Sequence, residues 1–142
     1  MFKRKILAFI CTAIISVPII GLVFMFIEGS TLTELPGLIA FTSIYAIPVT
    51  LLFGIPVSIL SDKMNNRFDS NKRVFFSLVV HLFFSTSFIV LLILILDSRF
   101  ILTDFNSFDL YFLVAATLIS FISWGMDEIL RTYFRKTQKT FY

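Results

Sequence analysis

The chain has 142 residues, of which 58% are hydrophobic and 15% charged, with 19 phenylalanines and a formal net charge of +3. That composition leaves too little polar surface for a water-soluble fold and points to an integral membrane protein. The positive balance is a topology signal rather than a nucleic-acid footprint, because the basic residues cluster at the ends of long apolar runs.

The first uncharged stretch, Ile6 to Ile27, follows the basic start Met1-Phe2-Lys3-Arg4-Lys5. A signal peptide begins in the same way, but this core is too long, FIEGST has no small-x-small cleavage pattern, and bulky Ile10 precedes Cys11 where a lipoprotein site needs a small residue. A retained transmembrane helix is expected. Cys11 is the only cysteine, so no intramolecular disulfide can form. Ala8, Thr12 and Ser16 share one face of this helix.

The second stretch, Leu35 to Ser61, nearly repeats itself: Ile47-Pro48-Val49-Thr50, then Ile55-Pro56-Val57-Ser58. Steps of four back from Asp62 meet Ser58, Gly54, Thr50, Ala46 and Thr42, all small or weakly polar. In lipid such a ridge lets helix backbones approach, so Thr50-x-x-x-Gly54-x-x-x-Ser58 is expected to be a packing seam. The prolines lie about 200° round the helix from it. Each denies a hydrogen bond to the carbonyl four residues earlier, Ile44 for Pro48 and Leu52 for Pro56, and should bow the helix away from its proline side. Such a break serves either as a static packing bend or as a hinge or cation-coordinating kink; the static bend is the default, since proline is ordinary in membrane helices.

The third stretch, Val74 to Leu96, places Ser77, His81 and Ser85 on one face. His81 is the only histidine. An ionisable residue inside a span is a candidate proton acceptor or metal ligand. Its simpler reading is a neutral imidazole hydrogen-bonded across the bundle, since a metal needs several converging ligands and no second His, nearby Cys or embedded acid accompanies it. No metal or cofactor is expected.

The fourth stretch, Leu110 to Met126, carries Ala116, Ser120 and Ser123 on one face and ends at Asp127 and Glu128. Asp127 and Arg131 form an i,i+4 pair that should neutralise this helix end. Trp124, Tyr133 and Phe134 fit an aromatic belt there, and Tyr111 the belt at the other surface. The final RTYFRKTQKTFY reads most simply as a frayed basic tail on anionic lipid, with a short amphipathic helix as the alternative.

Each stretch can cross a bilayer, which takes roughly 20 apolar residues at about 1.5 Å per residue. The expectation is an all-α, four-transmembrane-helix bundle: one membrane domain over residues 1–142, with spans at about 6–27, 35–61, 74–96 and 108–128 and a basic tail at 129–142. Lys3, Arg4, Lys5, Lys63, Arg67, Lys72, Arg73, Arg131, Arg135, Lys136 and Lys139 all lie on one side of that hairpin arrangement. Only Arg99 lies on the other, so both termini are expected in the cytoplasm of a cell membrane, against anionic lipid headgroups.

The MFKRK start, the proline-bearing first span, the doubled Ile-Pro-Val motif ending in GIPVSILSD and the basic second loop together resemble the uncharacterised small four-span integral membrane proteins of bacilli and related bacteria. The resemblance covers most of the chain and implies the four-span fold but no activity. Small multidrug-resistance pumps are similar in size alone: they depend on a glutamate in the first span, where Ile6 to Ile27 has no acid. SILSDKMNNR, with Asp62, Lys63 and Arg67, looks like the cytoplasmic loop signature of major facilitator transporters but has Ser58 and Asn65 where that pattern has glycines, and it is read as a convergent turn.

No paired acids, nucleophile with its base, or phosphate loop is present, so a non-enzymatic role is expected. The leading expectation is an accessory or interaction protein whose small-residue seams bind helices of a membrane partner or of a second copy; the alternative is a small oligomeric transporter or channel subunit using the bowed second helix and His81. Besides these two, Pro48, Pro56, Thr50, Gly54, Ser58 and Asp62 are the candidate functional or packing positions.

Overall fold

The computed structural model describes residues 2–96 and 107–139; the expected third loop, with Asp97, Arg99 and Asp104, lies outside the described residues. The described chain is all α: α1 (Phe2–Glu28), α2 (Leu35–Val49), α3 (Ile55–Met64), α4 (Ser70–Leu96) and α5 (Ser107–Lys139). α2 and α3 are one continuous rod joined by a π-helical turn, Thr50–Gly54, and a 3-10 turn, Asn65–Arg67, follows α3. Four helical rods are thus long and apolar enough to cross a membrane: Lys3–Glu28, Leu35–Met64, Asn71–Leu92 and Leu110–Arg135.

α1 ends where Gly29 takes φ 68° and Ser30 N–H donates to the Met25 carbonyl at 3.0 Å, a left-handed cap that any β-carbon would disfavour. α1 packs between α2 and α5, α5 between α1 and α4, and α3 turns toward α4. The second rod therefore changes neighbour along its length, leaning on α1 in its first half and on α4 in its second. The change occurs at the π turn.

The bundle is apolar outside and polar within. Ile14, Phe26, Ile44, Leu52, Phe75, Phe83 and Ile95 are exposed, whereas Thr12, Ser16, Thr42, Thr50, Ser58, Ser77, His81 and Ser120 are buried. In a bilayer this is the stable sense, because lipid solvates hydrocarbon and polar groups must find partners inside. At the end of the bundle away from the chain's N-terminus, Ile20, Phe24, Tyr111 and Ala115 form an apolar cluster, with the Phe24 and Tyr111 rings 4.2 Å apart. Tyr111 is only 3% exposed and its hydroxyl lies 3.2 Å from that of Thr42, so it is an interior residue and not the outer belt aromatic expected from its position in the sequence.

α5 carries the second correction. Helix continues to Lys139, so the described part of the basic tail is not frayed. Asp127, Glu128 and Arg131, where the apolar span ends, are ion-paired.

Candidate functional site

The helix ends nearest the N-terminus converge on a buried cluster of charges. Lys5 is 2% exposed. Its ammonium donates to the Ser58 hydroxyl at 2.6 Å, the Ser58 carbonyl at 3.1 Å and Asp127 Oδ2 at 2.7 Å, and it lies 2.8 Å from Asp62 Oδ2. Arg4 donates to Asp62 Oδ2 at 2.5 Å and stands 3.3 Å from Asp127 Oδ1. Arg131 pairs with Asp62 and lies 3.6 Å from Asp127 Oδ2, while Arg73 donates to Glu128 at 2.5 Å.

Every rod contributes: α1 gives Arg4 and Lys5, α3 gives Ser58 and Asp62, α4 gives Arg73, and α5 gives Asp127, Glu128 and Arg131. Burying one such charge costs several kcal/mol, which the opposite charges and hydrogen bonds at this distance must offset. Below the cluster, Ser61 and Ser77 hydroxyls lie 2.9 Å apart across α3 and α4, and Asn65 donates to Ser61 at 3.2 Å. Trp124 Nε1 donates to the Val74 carbonyl at 3.2 Å, tying α5 to α4 at the same level.

Three expectations change here. The Asp127–Arg131 pair is real but is one edge of a network spanning all four rods. Arg4, Lys5, Arg73 and Arg131 are engaged inside the protein, while Lys3, Lys63, Arg67, Lys72 and Arg135 remain exposed at this end. Asp62 points into the bundle beside Lys5, whereas Lys63 and Arg67 point out, so SILSDKMNNR does not form a single charged turn. Only the pair within α5 was legible in sequence; Lys5 and Asp127 are 122 positions apart.

The candidates of the second and third spans meet at mid-bundle, around a cavity of about 400 Å³ lined by Thr50, Phe53, Gly54, His81, Phe88 and Ser120, among others. It lies beside the turn at which the second rod widens. A π turn makes room for an extra residue per turn, and it lies directly before Pro56, whose ring would collide with the Leu52 carbonyl in a regular α-helix. Pro48 and Pro56 are both exposed on the outer side of the rod.

Thr42, Ala46, Thr50 and Ser58 are buried. Gly54 does not do what the seam requires of it. A β-carbon there would meet only Thr50 of its own helix, Cγ2 at 3.2 Å, so no neighbouring backbone approaches; the π turn has rotated this residue toward the cavity. The close glycine is Gly21, where a β-carbon would lie 2.8 Å from Ile39 Cγ1 and 3.5 Å from the Ile39 backbone. The seam hydroxyls divide between two uses, and Thr42, Ser58 and Ser77 reach Tyr111, Asp127 and Ser61 on other helices. Thr12 donates to the Ala8 carbonyl at 2.7 Å and Thr50 to the Ala46 carbonyl at 2.6 Å, each within its own helix, while Ser85 reaches across to the Ala116 carbonyl at 2.8 Å.

His81 is 3% exposed. Its Nδ1 lies 2.8 Å from the Ser77 carbonyl, one turn earlier on the same helix, rather than bonding across the bundle, and its buried Nε2 has no hydrogen-bond partner. Compared with protein-family models, with curated proteins and with solved structures, the chain has no match. The four membrane-length rods identify a membrane protein; its role has to be argued from its own surfaces and sites.

Proposed function

We propose that the protein is a non-enzymatic accessory protein of the cell membrane, with both termini in the cytoplasm, that works by holding another membrane helix. The observation carrying this reading is the run of α5 past the charge cluster. From Asp127 to Lys139 the helix extends about 20 Å at 1.5 Å per residue, and it presents Ile129, Tyr133 and Phe134 as exposed side chains. Beside it lies an open groove of about 590 Å³ between α4 and α5, lined by Val74, Trp124, Gly125, Ile129 and Thr132 among others. An apolar strip on a helix continuous with a rigid, ion-paired base suits a groove for a partner helix. The exposed Lys3, Lys63, Lys72 and Arg135 support the cytoplasmic placement and contact with anionic headgroups.

The experiment is co-purification in mild detergent of wild type and an Ile129→Glu/Tyr133→Glu variant. A stoichiometric membrane partner, or a second copy, retained by wild type and lost by the variant is the expected result. Oligomers indifferent to the variant, whose stability instead depends on a solute, would favour the second reading, an oligomeric transporter or channel subunit. That reading draws on the π turn and on His81 beside the mid-bundle cavity.

A further inference from the structure

The mid-bundle cavity has aromatic walls and a floor of hydroxyls. Phe53 and Phe88 stand with ring centroids 3.9 Å apart at one side of it, and Phe84 adds a third ring. Of the hydroxyls on its lining, those of Thr50 and Ser85 donate to the Ala46 and Ala116 carbonyls, whereas those of Ser87, Ser120 and Ser123 have no hydrogen-bond partner among the described residues. His81 also lines the cavity, but its Nε2 is sealed inside the protein and takes no part. Ser120 decides the matter. It is only 6% exposed, yet its oxygen, unlike that nitrogen, is open to the cavity. Ser123 follows three residues along α5 and lies on the same helix face, so two hydroxyls stand side by side. A buried O–H without an acceptor is costly, so an acceptor is what this floor lacks.

Size, access and depth narrow the occupant. A volume of about 400 Å³ is well above the roughly 150 Å³ that holds benzene in an engineered protein cavity, and it lies in the range of small-molecule sites. Phe53, Phe83 and Leu91 on its lining are exposed on the bundle's apolar outside, so the mouth faces lipid. Ser120 lies seven residues before Asp127, about 10 Å deeper than the charge cluster and near the middle of the Leu110–Arg135 rod. Phospholipid ester carbonyls sit at the edge of a hydrocarbon core about 30 Å thick, so a phospholipid offers this depth only methylenes. We propose that this cavity binds a lipid-soluble aromatic carbonyl compound, of the ketone or quinone class, its ring held among Phe53, Phe84 and Phe88, its carbonyl accepting from Ser120 and Ser123 and its alkyl tail leaving toward the bilayer. The chemistry sets the selectivity. A hydrocarbon of the same shape leaves both hydroxyls unmet, and an alcohol brings a further hydrogen to place, whereas a carbonyl brings acceptors alone.

The site is independent of the helix-holding role. Full-length protein in lipid nanodiscs is titrated with 4-hexylacetophenone carrying a 13C-labelled carbonyl, and the hydrocarbon in which C=CH2 replaces C=O is measured by competition. The ketone should show a saturable, hydrogen-bonded carbonyl resonance and bind about three- to tenfold more tightly than the hydrocarbon, the worth of one buried hydrogen bond. Ser120→Ala/Ser123→Ala should bring the two compounds to equal affinity while the hydrocarbon binds as it does to wild type. Gly54→Leu, whose side chain has the cavity to enter, should remove saturable binding while the protein still melts cooperatively. Nanodiscs of diether phospholipid, which has no ester carbonyl, should leave the melting of the unliganded protein unchanged. Equal affinities in wild type, no saturable binding, a preference that survives the double alanine variant, binding that survives Gly54→Leu, or lower melting in the diether lipid, which would give the hydroxyls to lipid esters, would each overturn the proposal.

Discussion

The two ends of the second rod are built on opposite principles. At the Asp62 end, opposite charges are packed on one another: Lys5, Ser58, Asp62, Asp127 and Arg131 share hydrogen bonds and ion pairs within a few ångströms and four helices meet there, with Arg4 Nε, Arg73 Nη1 and Arg131 Nε held by charge alone and not by a hydrogen bond. About two to three turns earlier, at Thr50–Gly54, the same rod widens beside a cavity lined in part by His81, whose buried Nε2 has no hydrogen-bond partner. A membrane bundle gains little from apolar burial between helices, so its rigidity lies where charges and small residues bring backbones together, and its spare volume lies where they do not. The locked end should set stability and the open middle should tolerate change.

The sharpest way to break that contrast is to strand Lys5. Asp127→Ala leaves a buried ammonium short of its main counter-charge, which costs about 3–5 kcal/mol in comparable buried pairs. Thermal aggregation in detergent should show the largest fall of any single variant here. Lys5→Met combined with Asp127→Leu should recover part of that loss, because the uncompensated charge has gone; an equal or deeper fall in the double variant would mean that the cluster is needed for more than neutrality.

Next in size is Gly21→Leu. Even its β-carbon lies 2.8 Å from Ile39 Cγ1, so α1 and α2 must separate, at about 1–3 kcal/mol or more. Gly54→Leu, whose β-carbon would meet only Thr50 at 3.2 Å and whose longer side chain has the cavity to enter, should cost less than half as much in the same assay. Equal losses would restore Gly54 to a helix contact and erase the difference between the two regions.

Pro56→Ala should have a smaller effect on melting, within about 1 kcal/mol, since it returns a backbone donor and removes the ring clash that widens the turn. Its signature is local: hydrogen exchange of amides 50–57 should slow as the π turn relaxes toward α. Unchanged exchange would mean that packing and not Pro56 holds the turn open.

The least perturbing test concerns orientation. In a Cys11→Ser background, a cysteine at Ser30 should react with an impermeant thiol reagent added outside cells, and one at Lys63 should not. The reverse pattern would place the charge cluster on the outer face.

Much of the architecture was legible because lipid imposes it. Stretches such as Ile6 to Ile27 have no alternative to helix once water is absent, and an interruption of the second span could be read from Pro48 and Pro56 because a missing N–H is a local property. The residues that face inward, Thr12, Thr42, Thr50, Ser77 and Ser120, were legible from their four-residue spacing. What that spacing could not show was what they face. Thr50 and Gly54 sit on one ridge in a regular helix, and a single widened turn, decided by how the rod meets its neighbours, sends Gly54 to a cavity and leaves the close approach to Gly21, which no periodic pattern marks. The same holds for charge. Lys5 and Arg4 read as topology signals because their partners, Asp62 and Asp127, lie in other helices.

The sequence by itself therefore determined that this is a four-span helical membrane protein, which residues are apolar enough to meet lipid, and that regular α-helical hydrogen bonding is interrupted along the second span, because those properties depend on composition, on helical period and on the proline ring. Only the tertiary structure decided that basic residues at the start of the chain are buried counter-ions, that Tyr111 is interior, and that His81 borders a cavity with one nitrogen unpaired. Those facts depend on which helix faces which, and the energies that choose neighbours, close backbone approach and paired charge across tens of residues, are properties of pairs and not of any one stretch of chain.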